Sequence, residues 1–246
     1  MFNQRSHRRI FRPLLATMLA SGALFFAAVQ SSSAQTAVKA QDSMAAHVQA
    51  CAACHGAQGE GTKNDYFPRL AGKPAGYLYN QLVNFREGHR KYPPMNYLTT
   101  YMGDDFLHQV ADYYSKLQPV YPAPAKSQAS AAVLARGQDL VLHGDAAKGL
   151  PACVACHGAA LSGMQPAIPG LLGLHSDYIS AQLGAWRSGN RQAPSPDCMG
   201  VVATILSDAD VNAVANWLAA QTAPPKASPL PAGSQKLPLA CGSEPQ

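Results

Sequence analysis

The chain has 246 residues, 47% of them apolar and only 13% charged, which excludes a disordered polymer and permits one large domain or two small ones. Its formal charge of +5 rests on Arg5, Arg8, Arg9 and Arg12; from residue 35 onward 15 Lys and Arg face 14 Asp and Glu. A remainder so close to balance carries no electrostatic footprint for nucleic acid.

In chain order, the first 34 residues combine the basic stretch "RSHRRIFR", an apolar run from Leu14 to Val29 and a polar "SSSAQT" with small residues at Ser32 and Ala34. This is the pattern of a secretory signal, with cleavage expected after Ala34 and the periplasm as destination. The apolar run falls short of the roughly 20 residues a spanning helix needs. A first domain is expected over 35–119. Within it Leu78, Leu82 and Phe85 recur at helical spacing, and a last helix carries Phe106, Val110, Tyr113, Tyr114 and Leu117. Residues 120–130 lie in a stretch rich in Pro, Ala and Ser without apolar period and read as a linker.

The second domain, 131–221, repeats the design. Ile179, Leu183 and Trp186 match the first helical triplet, with Ser176 placed to cap that helix. Val211, Val214, Ala215 and Leu218 mark the last helix, preceded by Ser207 and Asp210 as a capping box. Residues 222–246 read as a loose Pro-rich tail. No segment alternates with period two, so the expected class is all-α, twice over.

The repetition is explicit in the residues. "CAACHG" at 51–56 returns as "CVACHG" at 153–158, and "PRLAGKPAGYLYNQLVNFREGHR" (68–90) matches "PGLLGLHSDYISAQLGAWRSGNR" (169–191) at Pro, Leu, Gly, Tyr, Gln-Leu, an aromatic, Arg, Gly and Arg. Cys-x-x-Cys-His is the attachment signal of a c-type haem. Its thiols, Cys51 with Cys54 and Cys153 with Cys156, can add to the two vinyl groups on one porphyrin edge. The adjacent His55 or His157 then lies under the iron. A thioredoxin-like pair needs neither the histidine nor a helical setting, and zinc would have to gather two widely separated pairs. Two covalent haem c groups are therefore expected.

The sixth iron ligand separates electron transfer from oxygen or peroxide chemistry. Met199 stands eight residues before Ser207, and Met95 eight before Gly103, which occupies the place of Ser207 in the first copy. The agreement selects Met95 and Met199, with Met102 as the alternative in the first domain and core filling as the bland reading of all three. His47, His89, His108, His143 and His175 do not recur between the copies.

With its tandem CxxCHG, the shared block, the methionines and the final helices, the chain resembles the two-haem cytochrome c4 family over roughly residues 40–119 and 130–220. The resemblance implies two small class I cytochrome c domains, each wrapped around one haem, which face one another across the domain interface. It implies an electron carrier rather than an enzyme, with redox proteins as partners: a dehydrogenase or membrane quinol-oxidising complex on one side, an oxidase or other acceptor on the other. Proximal His55 and His157, distal Met95 and Met199, and Pro68 and Pro169 as carbonyl partners of the proximal rings follow from it. Arg86, Arg90, Arg187 and Arg191 become candidates for haem propionates, with surface salt bridging as their ordinary role.

Two features depart from the family. Cys198 and Cys241 form a leftover pair, expected as a disulfide in an oxidising compartment. As a competing role, Cys198 beside Met199 could itself ligate iron, as in a catalytic haem of thiosulfate-oxidising dihaem proteins; a haem enzyme that reduces peroxide would instead want one iron without Met. "HGDAAKGLPAC", ahead of the second motif, reads only as a longer loop. No Ser-His-Asp set or phosphate loop supports an enzyme.

Overall fold

A computed structural model of the chain describes residues 42–64, 66–124, 126–224 and 227–244. The expected signal segment and its cleavage point lie outside the described residues.

The first half opens with one turn, α1 (Met44–His47), whose capping Ser43 hydroxyl accepts a bond from the Ala46 amide. It continues through α2 (Gln49–His55), α3 (Ala75–Arg86), α4 (Pro93–Thr99) and α5 (Asp104–Lys116). Leu78 of α3 packs with Val110, Ala111 and Tyr114 of α5 around Val48, and Leu82 closes the rim of this small core. α3 stops where Gly88 turns left-handed at φ +78° and its amide reaches back to the Phe85 carbonyl. Pro93 and Pro94 open α4, positions at which a missing N–H leaves nothing unpaired. Gly103 precedes α5 as expected, with Asp104 and Asp105 set against the helix dipole.

The second half runs through α6 (Ala131–Leu142), a 3₁₀ turn (Ala146–Lys148), α7 (Val154–His157), a hairpin of β1 (Gly163–Met164) and β2 (Ile168–Pro169), α8 (Ser176–Arg187), α9 (Cys198–Ile205) and α10 (Asp208–Ala219). Its core is larger, built from Leu140, Val141, Leu183, Val214 and Leu218 among others. α6 and α10 cross in backbone contact at Gly137, where any Cβ would collide with the Ala213 carbonyl. The capping box forms: the Asp210 amide donates to Ser207 Oγ at 3.1 Å and the Ser207 amide to Asp210 Oδ2 at 3.4 Å.

The all-α class holds, with the two short strands as its one addition, and three local expectations change. Ser176 does not cap α8; it is the first helical residue, and His175 precedes it, its ring Nε2 donating to the Thr62 carbonyl of the first half at 3.1 Å. "HGDAAKGLPAC" is more than a spacer, because its Asp145 accepts from Arg136 of α6 and its Lys148 donates to Asp210 of α10, both at 2.9 Å. The tail is not loose. Leu230 exchanges backbone bonds with Gly163 and Gln165 at 2.8 Å, Glu244 accepts from the Ala167 amide at 2.9 Å, and Cys241 is joined to Cys198. An extended Pro-rich chain suits the free edge of a hairpin, where few of its amides are called on.

The halves meet through a reciprocal exchange. The Lys91 amide donates to the Asn190 carbonyl at 2.8 Å, and the Gln192 amide to the His89 carbonyl at 2.9 Å. These residues sit at equivalent positions of the repeat, so the interface has an approximate two-fold axis.

Candidate haem sites

Each CxxCHG closes a helix in the same way. α2 ends at His55 and α7 at His157, and the following Gly56 (φ +86°) and Gly158 (φ +81°) turn the chain where a side chain would be strained. A Cβ on Gly56 would strike the Glu60 carboxylate, and one on Gly158 the Leu230 side chain. The glycine is thus part of the motif's geometry. Residues three apart share a helix face, so both cysteines of each pair look into one cavity together with the histidine.

His55 and His157 are buried, and each donates from Nδ1 to a proline carbonyl: His55 to Pro68 at 2.9 Å, His157 to Pro169 at 2.7 Å. A carbonyl can only accept, so the proton is held on Nδ1 and the Nε2 lone pair is left available. Burial pushes both imidazoles down, His157 to about 4 against the opposing pull of the Pro169 carbonyl. Both rings are therefore neutral at physiological pH, the form in which imidazole binds a metal.

Met95 and Met102 line the first cavity, of about 810 Å³, and Met199 lines the second, of about 170 Å³, which the tail residues Leu239, Cys241 and Ser243 also border. Met95 and Met199 both lie in the first turn of a short helix pinned at its start. Asn96 accepts from the Tyr92 amide at 2.7 Å and donates to the Arg90 carbonyl at 2.8 Å; Asp197 accepts from Gly200 at 2.9 Å and Ala193 at 2.8 Å. Met102 sits beyond α4, its carbonyl taken by Arg86 at 3.0 Å. Cys198 is engaged with Cys241, so its sulfur is not available as a thiolate ligand.

The four candidate arginines divide into two roles. Arg86 pairs with Asp104 at 2.7 Å and Arg187 with Asp208, tying the end of α3 to the start of α5 and the end of α8 to the start of α10. Arg90 and Arg191 instead lie buried between the halves. Arg90 donates to Gln81 (2.9 Å), Gln182 (2.6 Å) and Tyr178 (3.0 Å); Arg191 donates to Gln182 (2.9 Å), Gln81 (3.0 Å) and Tyr77 (3.2 Å). The pattern is two-fold, and each guanidinium also covers an aromatic ring of its own half, Phe85 at 4.6 Å and Trp186 at 3.8 Å.

Sequence reasoning passed over two more buried cations, Arg69 and Lys73, which bond only to backbone carbonyls. It also passed over the roles of Tyr77, Gln81 and their copies, although the repeat block itself had aligned them. Four buried cations, with no carboxylate among the described residues bonded to them, call for anions. Arg69 Nε and Trp186 Nε1 are buried without an acceptor. The donor set fits haem, which brings an apolar ring for the cavity, vinyl carbons for the thiols and two carboxylates for such donors.

The cytochrome c family model matches residues 39–116 and 134–222. The chain belongs to the cytochrome c family. It is 40% identical, over 84% of its length and 90% of the relative's, to the thiosulfate dehydrogenase electron acceptor of Thiomonas intermedia. It is 32% identical to cytochrome c4 of Pseudomonas aeruginosa, over 68% of this chain and 82% of that one. Among solved structures it superposes on the thiosulfate dehydrogenase (TsdBA) of Marichromatium purpuratum with a TM-score of 0.62 and 37% identity, covering 69% of this chain; it spans 36% of that one. The protein is thus a dihaem cytochrome of the c4 type with two covalently bound haem c groups, and electron transfer is its work.

Proposed function

We propose that this cytochrome is the periplasmic electron acceptor of a thiosulfate dehydrogenase and passes its electrons on to a terminal oxidase or another carrier. Its 40% identity to the Thiomonas intermedia protein of that function carries the reading. Each haem supplies a reversible one-electron couple. Cys51 with Cys54, and Cys153 with Cys156, would tether the two groups; His55 with Met95, and His157 with Met199, would hold their iron.

The roles of the residues follow from their bonds. The Pro68 and Pro169 carbonyls hold the proximal rings in one tautomer and one orientation. Methionine sulfur bound to the iron would favour its reduced form and would leave no position for oxygen or peroxide. Apolar walls keep water from reorganising around either oxidation state. Arg90 and Arg191, buried between the halves, would neutralise haem carboxylates brought there. The second-half Met199 is held on a helix stapled by Cys198 to the tail.

Mixing the oxidised protein with thiosulfate alone should leave its spectrum unchanged, and adding catalytic amounts of a thiosulfate dehydrogenase should reduce both haems. Reduction without the enzyme would make the protein an oxidant of thiosulfate in its own right. No reduction, by an enzyme that reduces an artificial acceptor, would remove the proposed partner. Replacing Met95 and Met199 singly should abolish half of the weak long-wavelength methionine-to-iron band each time.

A further inference from the structure

Arg90 and Arg191 are equivalent positions of the repeat and so act equally on the two halves. Lys73 is not duplicated. Its counterpart in the second half is Leu174, and the counterpart of Arg69 is Gly170. Lys73 is 5% exposed, and its Nζ crosses the domain boundary to donate to the Gly170 carbonyl at 2.9 Å. Gly170 follows Pro169, whose carbonyl holds the His157 ring. A side chain of the first half therefore places an ammonium group against the loop that positions the second half's proximal histidine.

We propose that Lys73 acts across the domain boundary as a fixed positive charge that raises the reduction potential of the second haem. The proposal rests on His157 as that haem's axial ligand and is independent of which enzyme supplies the electrons. The physics is Coulombic: a cation nearby opposes the extra positive charge of the oxidised centre and so favours reduction. Buried between domains, the ammonium is poorly screened by salt. Lys73 borders the cavities of both halves, and the side is set by its hydrogen bond: Nζ donates to Gly170, next to the Pro169 whose carbonyl holds the His157 ring. Burial and the neighbouring Arg69, Arg191 and Arg90 all work against the charged form of Lys73. Two haems would bring four carboxylates, and any of these lying at the boundary would favour the charged form of Lys73.

The test is a spectroelectrochemical titration of the two-haem protein as Lys73→Gln, Lys73→Met and Lys73→Arg, with the haem-methyl proton resonances of each half assigned to tell the two centres apart. Both neutral variants should move the second centre to more negative potential and the first centre by less; arginine should keep the second centre close to its original value. Equal shifts at both centres, or none, overturn the proposal. An arginine variant that falls as far as glutamine also overturns it, because shape rather than charge would then matter. Should one neutral variant not assemble, the other still reads the charge. Thiosulfate-driven reduction is measured separately on the same samples, so loss of the partner reaction with an intact potential shift counts only against the enzyme assignment.

Discussion

The two halves carry the same hexapeptide, the same histidine-to-proline bond and a methionine at the same distance from the last helix, yet they are enclosed very differently. In the first half Tyr97 of α4 and Tyr101 of the turn after it face outward, 79% and 94% exposed, and one small core backs the site. In the second half Val201, half-exposed, and Ile205 take those places, a salt-bridged loop leads into the motif, a hairpin follows it, and the tail is sewn to the helix bearing Met199. The repeat supplies the chemistry; the additions supply the enclosure. An identical ligand set can thus be held at two levels of support within one chain.

The comparison can be broken most severely at the thiols. Replacing Cys51 and Cys54 with alanine should remove one covalent haem from the intact mass and unfold much of the first half, whose small core depends on it. The same change at Cys153 and Cys156 should also remove one haem but leave more residual helix, read by circular dichroism, because the second half has the larger core and the staple. Cutting the staple comes next. With its cysteines 43 positions apart, loss of the disulfide in a Cys198→Ser, Cys241→Ser double variant should cost the second half about 4 kcal/mol. Hydrogen exchange should show that loss in α9 and α10 and leave α3 and α5 unchanged.

The smallest expected effect sharpens the contrast through pH. Burial pushes the Asp210 carboxyl up, but hydrogen bonds from Lys148, Arg136 and Ser207 outweigh it and hold the group well below the usual carboxylate range. A lowered folded-state value means that its stabilisation is complete above the unfolded value of about 4 and fades as pH falls toward the folded one. Asp210→Asn should cost the second half about 2 kcal/mol at neutral pH and flatten its acid dependence in denaturant melts. The first half has Gly103 at the start of its last helix, with no side-chain cap there, and should show no matching change.

Much of this was legible in the residues because it is written locally. CxxCHG, Ser207 with Asp210, and the triplets of α3 and α8 each span a turn or three of helix, and the repeat aligned them twice. The proline carbonyls came from the family resemblance, and the bonds of His55 and His157 agree with it. What stayed hidden is made by contacts between distant segments. Lys73 meets Gly170 and Arg69 meets Leu172 about a hundred positions along the chain, and neither looks different in sequence from a surface cation. The tail misled for the same reason: its prolines signal an absence of periodicity, not an absence of partners. Ser176 failed as a cap because His175, held by the first half, sets where the helix begins.

The crossed glutamines have an evolutionary reading. A single ancestral module with Tyr, Gln and Arg at the positions of Tyr77, Gln81 and Arg90 would present a self-complementary face, so joining two copies end to end would preserve a homodimer that already closed. The two copies now differ at that face, with Arg69 and Lys73 of the first standing where the second has Gly170 and Leu174. Two first modules meeting face to face would bury two lysines and four arginines together, whereas Gly170 and Leu174 of the second module offer the first a neutral seat.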